Sequence, residues 1–304
     1  MSGPTLSSDW KDFPVEGQST APRTGPFPFR PFLETVWKHR TDRAAELVVS
    51  TTEDSAVALA VSGDSIEFAG EADLTDYHAP VGEDSADVLA KALSVHRDHA
   101  FRFDSLPIEA TAGVLVALNN LEAPFTKTEH AGTAVLDLPE TFDEWLMGIG
   151  KKERHEVRRK RRRFEAEFGP VSIVPGNSEA FATFCSMHRT SEGEKGSFMT
   201  DSMEQYFSDL VANTGAVVHA LVCNDRTLAT AFGWETEDGY YFYNSAFDPS
   251  AAFASPGVVL FSSMIEAEIT RGAKVFDFLK GDERYKFRHG AEARPLFAIE
   301  GRIP

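Results

Sequence analysis

The chain has 304 residues, of which 42% are hydrophobic and 25% are charged, so it can bury the core of one large domain or of two domains. Acidic residues number 47 against 30 basic ones, for a net charge of -17, which argues against a general nucleic-acid binder, DNA included, and against an anionic membrane partner. No stretch reaches the roughly 18 apolar residues of a membrane span, and residues 1–30 lack the apolar run of a signal peptide. Cys185 and Cys223 are predicted to be core thiols in a reducing cytoplasm.

The first half of the chain shows an α+β pattern behind a proline-rich N-terminal arm. Prolines between Pro4 and Pro28 interrupt every candidate element, so residues 1–29 are predicted to form a disordered or loosely draped arm. Residues 30–140 are predicted to form a first domain, and residues 141–304 a second one. Helices of the first domain are expected from Arg30, from 86 and from Pro107, with strands at 46–50, 56–61, 66–69, 101–103 and 133–138.

A strongly basic helix is predicted near the start of the second domain. Thr141 and Glu144 form a capping box for a short helix, and a second helix is expected over residues 151–168. Nine of the 30 basic residues lie between Lys151 and Arg163, in a protein that is otherwise acidic.

The basic side chains of this helix divide into two groups. At about 100° per residue, Val157 and Phe164 lie on one apolar stripe. Along one edge of the stripe lie three arginines that are predicted to bind an anionic ligand, because guanidinium groups match phosphate oxygens: Arg154, Arg158 and Arg161. The alternative, a solvated basic face, is preferred for Arg159, Arg162 and Arg163. A nuclear-localisation or RNA-binding interpretation is open to any run of this kind.

The rest of the second domain is predicted to centre on an antiparallel meander. A strand at 171–174, a helix at 178–191, a polar loop at 191–200 and a helix from Asp201 come before three strands at 217–223, 228–236 and 240–247. His188 is either a base or a satisfied core histidine. Ser255 and Pro256 then start a helix whose N-terminus, with Gly257 allowing close approach, either holds a phosphate or is simply well capped.

The segment VFDFLKGDERYKFRHG, residues 275–290, is the strongest candidate for a site. A predicted buried strand containing Asp277 ends at Gly281, and acidic, phenolic and basic side chains follow within one turn. A closing hairpin is expected to lead to strand residues 296–299. The site interpretation competes with that of a salt-bridged turn.

Three strands, a helix with Gly at its N-terminus, a further strand and a charged turn form the order of elements in GNAT acyltransferases. The sequence resembles the CelD/BcsL-like acetyltransferases, named for cellulose-biosynthesis loci, in KKERHEVRRKRRRFE, YNSAFDP with SPGVVL, and FDFLKGDERYKFRHGA. These segments span most of residues 140–291, and the first half matches loosely. The family is similar to FemX-type aminoacyltransferases, which implies an α+β fold of two tandem GNAT-like units, each a mixed, mostly antiparallel sheet flanked by helices, with residues 30–140 as a degenerate first unit.

The resemblance implies an activity and roles for individual residues. It implies transfer of an acyl group, acetyl above all, from acyl-CoA as co-substrate to an amine or hydroxyl of a small-molecule or glycan-precursor acceptor, with no metal or bound prosthetic group. Glu283 would be the base and Tyr285 the acid, while Asp277 and Lys286 would orient substrate or stabilise charge. Substrate-binding residues would be Tyr243, Asn244 and Arg288.

One segment departs from the GNAT pattern. Where these enzymes usually have an Arg or Gln and two spaced glycines for the CoA diphosphate, this chain has FASPGVV, with Ser255 and the single Gly257. The basic edge of residues 154, 158 and 161 is expected to supply the missing charge and to face one cleft with Gly257 and Tyr285. An aminoacyl-tRNA donor and a non-catalytic binding protein of the same fold are the alternatives.

Overall fold

The computed structural model describes residues 3–176, 178–191 and 193–304, which divide into two compact units. One unit holds the residues up to Gly132 together with Arg294–Pro304, and the other holds Thr133–Ala293. Each has a mostly antiparallel sheet flanked by helices, so the predicted α+β fold in two units is confirmed. Among the described residues, no helix is both long enough and apolar enough to cross a membrane.

The first unit is a sheet with one parallel strand pair. Its elements are β1 (Thr5–Ser7), a 3-10 helix (Trp10–Asp12), α1 (Arg30–His39), β2 (Glu46–Thr51), β3 (Ala56–Ser62), β4 (Ser65–Phe68), α2 (Ser85–Leu93), β5 (Ala100–Pro107) and α3 (Ile108–Asn120). Strand β6 (Phe125–Asp137) begins in this unit and ends in the other, and the last strand of the chain, Glu292–Arg302, pairs here with β5. Strands β4 and β5 are parallel, and helix α2 supplies the crossover between them.

The N-terminal arm is packed, which corrects the expectation of disorder and leaves the draped alternative. Trp10, Phe13 and Phe27 are buried. Arg294, near the end of the chain, donates hydrogen bonds to the carbonyl oxygens of Pro22 and Arg23. The prolines keep the arm from forming long regular elements, but the aromatic side chains between them bury enough apolar surface to hold it in place.

The second unit repeats the same order of strands and crossover helix. Its elements are α4 (Phe142–Gly148), α5 (Lys151–Phe168), β7 (Ser172–Pro175), α6 (Ser178–Arg189), α7 (Glu194–Phe198), α8 (Asp201–Thr214), β8 (Val217–Cys223), β9 (Arg226–Glu235), β10 (Gly239–Phe247), a 3-10 helix (Pro249–Ala254), α9 (Pro256–Arg271), β11 (Val275–Lys280) and α10 (Arg284–Arg288). The sheet order is β6-β11-β10-β9-β8-β7, and only β10 and β11 are parallel. The predicted meander, the basic helix and the helix from Pro256 are confirmed. The predicted loop at 191–200 contains α7, and Glu192 lies outside the described residues.

The C-terminal segment differs from the prediction in two ways. Residues 284–288 form helix α10 rather than an irregular turn. The expected closing hairpin is instead one long strand, β12 (Glu292–Arg302), and residues 294–304 belong to the first unit rather than the second. The reason is that β12 pairs with β5, where its buried Ile299 joins the core of the first unit.

Candidate active site

The parallel strands β10 and β11 separate partway along their length. Their pairing ends at Tyr241 opposite Asp277, although β10 continues to Phe247 and β11 to Lys280. Beyond Tyr241 and Asp277, the facing edges of β10 and β11 carry backbone N–H and C=O groups that do not hydrogen-bond to the other strand of the pair. Diverging strands therefore open a slot at their carboxyl ends, the end of a parallel pair at which ligands bind in open α/β sheets.

Helix α9 begins at the same end of the second unit, because it leaves β10 to form the crossover to β11. Its N-cap residue Ser255 has a left-handed backbone, with φ of 63°, and its side chain caps no N–H of the helix. A Cβ added at Gly257 would meet no atom within 4 Å. The first turn of α9 thus presents its backbone to open space, as close approach by a ligand requires.

Two buried charged side chains hold the end of β11. Leu279 has a left-handed backbone, with φ of 59°, which is a strained conformation for a residue with a Cβ. The carboxylate of Asp277 accepts a hydrogen bond from the Leu279 N–H at 2.7 Å, and Lys286 Nζ donates to the Leu279 carbonyl oxygen at 3.2 Å. Both side chains, which we predicted to act on substrate, therefore shape the backbone beside the slot.

Lys286 is the central donor of this strand end. Its side chain is 3% exposed, and its Nζ also donates to the carbonyl oxygens of Lys280 and Gly281. Glu283 completes the arrangement through an ion pair of 3.0 Å, while its own side chain is 55% exposed. Lys286 is thus committed to the protein backbone, whereas the Glu283 carboxylate reaches solvent.

Tyr285 packs at the centre of an aromatic cluster. Its ring stacks on Phe261 of α9, with centroids 4.9 Å apart and planes at 14°, and meets Phe278 of β11 edge-on. Burial, together with the negative charge of Glu283, raises the pKa of Tyr285 above its ordinary value. The phenol therefore keeps its proton at neutral pH and serves as a hydrogen-bond donor.

His289 is a buried residue of this cluster that the sequence prediction missed. Its Nδ1 donates to the Tyr285 carbonyl oxygen at 2.7 Å, and Trp145 Nε1 donates to the His289 carbonyl oxygen at 2.8 Å. The imidazole and the Trp145 ring are nearly parallel, with centroids 6.3 Å apart. His289 could have been found from the sequence, because it lies in the candidate segment 275–290 directly after the charged residues. Its hydrogen bonds fix the end of α10.

We expect the stability of the protein to fall as pH drops below about 6.5, the ordinary histidine pKa. Burial lowers the pKa of His289 in the folded chain, so its imidazole is neutral there, whereas the unfolded chain binds a proton below that pH. Urea unfolding at several pH values would measure the loss. His289→Gln should reduce the slope between pH 7.5 and 5.5. An unchanged slope would contradict the assignment to His289, and His130→Gln, at an exposed position, is the matched control that should leave the slope unchanged.

The predicted substrate-binding residues of β10 lie at a break in its register. The pairing with β9 shifts between Phe242 and Asn244, which marks a bulge. The Tyr243 hydroxyl lies 3.0 Å from that of Tyr206, and Asn244 Oδ1 lies 3.0 Å from His188 Nε2. Since the amide oxygen only accepts, His188 Nε2 carries the proton of this bond, so the candidate base is tied to a predicted substrate-binding residue. Their roles stay predictions.

The three arginines of the predicted ligand edge differ in what they contact. Arg154 donates to the carbonyl oxygens of Leu146 and Met147, at 3.1 and 3.2 Å, and so satisfies the end of α4. Arg161 forms ion pairs of 3.2 Å with Glu165 and 2.5 Å with Glu266.

Arg158 is exposed and, among the described residues, pairs with no carboxylate. Arg288, the predicted substrate ligand of α10, is exposed as well.

A groove of about 560 Å³ follows this edge of α5. It is lined by Lys151, Arg154, His155, Arg158, Arg161, Arg162 and Glu165. Within the described residues, its lining includes neither Gly257 nor Tyr285. The expectation that the arginine edge, Gly257 and Tyr285 face one cleft stays a prediction.

Both cysteines are buried free thiols, as predicted. Burial, with a contribution from Glu204, raises the pKa of Cys185 to about 11, and burial also raises the pKa of Cys223. Neutral thiols of this kind are poor nucleophiles.

Residues 151–287, from the basic helix to α10, match a family model described as an acetyltransferase (GNAT) domain. This part of the chain is similar to GNAT acetyltransferase domains. The assignment to the CelD/BcsL-like branch stays a prediction, and no curated protein matches the sequence.

Solved structures similar to this chain show its fold. A conserved protein of unknown function from Bacteroides thetaiotaomicron VPI-5482 is 15% identical, with 90% of this chain and 89% of that chain covered and a TM-score of 0.59. FemX is 12% identical, with 88% and 90% covered and a TM-score of 0.59. L-PGS from Bacillus licheniformis is 13% identical, with 94% and 93% covered and a TM-score of 0.57. The likeness spans both units, so the segment that matches the family model lies within a longer fold that these proteins share.

Proposed function

We propose that the protein is an acyltransferase that moves an acyl group, in the first instance acetyl, from acyl-CoA to an amine or hydroxyl of a small-molecule or glycan-precursor acceptor. The observation that carries the proposal is the slot where β10 and β11 separate after Tyr241 and Asp277, within the GNAT domain and at the open start of α9. A cytoplasmic location, where acyl-CoA is available, belongs to the same proposal.

The slot suits an extended donor that carries amide groups. An extended chain can hydrogen-bond to a strand edge whose backbone groups are not paired with another strand. The pantetheine arm of CoA carries two amides that can form such bonds. The first turn of α9 would receive a donor phosphate at the Gly257 N–H, which has no partner among the described residues, whereas the N–H groups of Ser255 and Val258 already donate to backbone carbonyl oxygens. Arg158 is the member of the predicted arginine edge whose guanidinium contacts neither a carboxylate nor a backbone carbonyl oxygen among the described residues.

In the proposed reaction, the acceptor nitrogen or oxygen attacks the thioester carbonyl, a C–N or C–O bond forms, and the C–S bond breaks. Glu283, whose carboxylate reaches solvent, takes the proton of the acceptor, and the Tyr285 hydroxyl stabilises and protonates the departing thiolate. The proton on Glu283 then restores the phenol. Asp277 and Lys286 position the end of β11 for this step.

The predicted acceptor-binding residues are Tyr243, Asn244 and Arg288. Two of them lie at the bulge of β10, and Arg288 lies on α10, three residues after Tyr285. Tyr243 and Asn244 thus lie in the part of β10 that has separated from β11, and Arg288 follows the end of β11 in the chain.

Thermal unfolding with acetyl-CoA, longer acyl-CoAs and free CoA tests the proposal. A ligand that binds only the native state at about 100 times its Kd adds about 2.7 kcal/mol of stability and raises Tm. We expect acyl-CoA to raise Tm and free CoA to do so as well. No shift with any CoA compound would overturn the proposal.

The second candidate is an aminoacyl-tRNA-dependent transferase, and the basic helix α5 is the observation that favours it. Filter binding with charged and uncharged tRNA, beside release of free thiol from acetyl-CoA, distinguishes the two donors. Binding of CoA without any thiol release in the presence of candidate amines would favour a non-catalytic protein of the same fold.

A further inference from the structure

One edge of helix α5 carries a stripe of positive charge that the proposed donor site does not use. Lys151, His155, Arg158 and Arg162 are spaced by three or four residues, so they line the same edge of the helix and the groove of about 560 Å³ beside it. The stripe covers about 16 Å at the helical rise of 1.5 Å per residue. That length suits a ligand with more than one anionic group.

The charges of this stripe are not neutralised within the described residues. On neighbouring positions of the same helix, Arg159 pairs with Glu156, and Arg161 pairs with Glu165 and Glu266. No ion pair of this kind involves Arg158 or Arg162 in the described part of the chain. Arg158 and Arg162 are both exposed, so their guanidinium groups are accessible to an anion from solution.

A backbone contact also holds the Arg162 side chain on the turn of the helix that carries Arg158. Arg162 Nε donates to the Arg158 carbonyl oxygen at 3.3 Å, which lays the Arg162 side chain back over the turn that carries Arg158. Two like charges one helical turn apart repel each other. An anion with two negative groups would relieve this repulsion and take the guanidinium N–H groups that the backbone contact leaves free.

The groove lies on a different side of α5 from the start of α9. Arg163 lies over the ring of Phe253, just before Ser255 and Gly257, with 5.8 Å from its guanidinium carbon to the ring centroid. Arg158 and Arg163 are about 140° apart around the helix, since each residue turns it by about 100°. The stripe therefore faces away from the side of α5 that meets the approach to α9.

We propose that this groove is a second anion site, separate from the donor slot, that binds a ligand carrying a diphosphate or several phosphate groups. Arg158 and Arg162 bind the phosphate oxygens, and Lys151 and His155 extend the site along the helix. Among the described residues, none of those proposed to bind the acceptor lines this groove, so we assign it a ligand separate from the substrates of the proposed function. The site itself does not depend on that function.

Isothermal titration calorimetry with inorganic pyrophosphate, on the full chain and without divalent metal, tests the site. Arg158→Gln with Arg162→Gln should weaken binding by at least about tenfold, because two charge-assisted contacts are lost. Lys152→Gln with Arg163→Gln removes the same charge from a different side of α5 and should leave the pyrophosphate Kd within about twofold. Unfolding curves of both variants confirm that they are folded.

Competition with CoA separates this proposal from the previous one. We expect pyrophosphate to bind equally well to the protein saturated with CoA. Displacement of pyrophosphate by CoA would overturn the second site and return the groove to the donor. Absence of pyrophosphate binding, or equal weakening in both double variants, would overturn it too. Binding of pyrophosphate at the groove with no CoA binding would uphold the site and overturn the proposed acyltransferase.

Discussion

Tyr285→Phe is expected to lower kcat by about 100-fold or more, with a smaller change in KM for acyl-CoA. The substitution keeps the ring stacked on Phe261 and removes only the hydroxyl. Burial and the Glu283 charge raise the pKa of the Tyr285 hydroxyl, so it remains a donor at neutral pH. The lost interaction is one that grows as negative charge develops on sulfur, and its loss therefore appears in kcat.

A matched control for this variant is Tyr240→Phe. Tyr240 is fully buried on β10, and its hydroxyl has no hydrogen-bond partner among the described residues. Steady-state thiol release should therefore remain near the wild-type rate in Tyr240→Phe. Equal losses in the two variants would show that removal of a buried phenol, rather than loss of an acid, explains the effect. A Tyr285→Phe enzyme with wild-type kcat would eliminate Tyr285 as the acid.

The elements that the sequence predicted well are those whose signals are local. Helix α5 ends at Gly169, helix α9 starts at Ser255 and Pro256, and the strands of the meander are joined by tight turns. Each of these features is determined by residues close together in the sequence. The candidate segment at 275–290 was found for the same reason. Its aromatic and charged residues are adjacent in the chain.

The features that sequence reasoning could not find depend on distant partners. Strand β12 pairs with β5, almost 200 residues earlier, and no local pattern indicates which strand edge is available. The role of Lys286 was similarly hidden, because a lysine that donates to substrate and one that donates to backbone carbonyls look alike in a sequence. The packing of the N-terminal arm could not be predicted, because the sequence does not show the surface that Trp10 and Phe27 cover.

Both units have a residue with a left-handed backbone at a similar place in the sheet, but its surroundings differ between the units. In each unit the second strand of the parallel pair has a residue with a left-handed backbone, Ser105 in β5 and Leu279 in β11, beside a shift in register. In the first unit, the His78 N–H donates to the Ser105 carbonyl oxygen, and Tyr77 is fully buried. In the second unit, the Leu279 backbone is held by side chains of its own strand and helix. This contrast supports the proposal that the second unit carries the reaction and that the first is degenerate.

Lys286→Met is expected to destabilise the protein by about 3 kcal/mol or more, because buried backbone carbonyls lose their donor. The affected carbonyls belong to the strained end of β11, at Leu279, Lys280 and Gly281. Activity should fall with stability, since the slot between β10 and β11 depends on this strand end. Urea unfolding at pH 7.5 measures the change in the free energy of unfolding.

Glu283→Gln separates the backbone role of Lys286 from its ion pair. The Glu283 side chain is 55% exposed, so loss of its ion pair should cost no more than about 1 kcal/mol. If Glu283 is the base, the same variant should nevertheless lose most of its kcat while keeping near-native stability. Lys286→Met would then be unstable and inactive, and Glu283→Gln stable and inactive. Equal stability of Lys286→Met and the wild type would show that the carbonyls find other donors, and wild-type turnover in Glu283→Gln would remove it as the base.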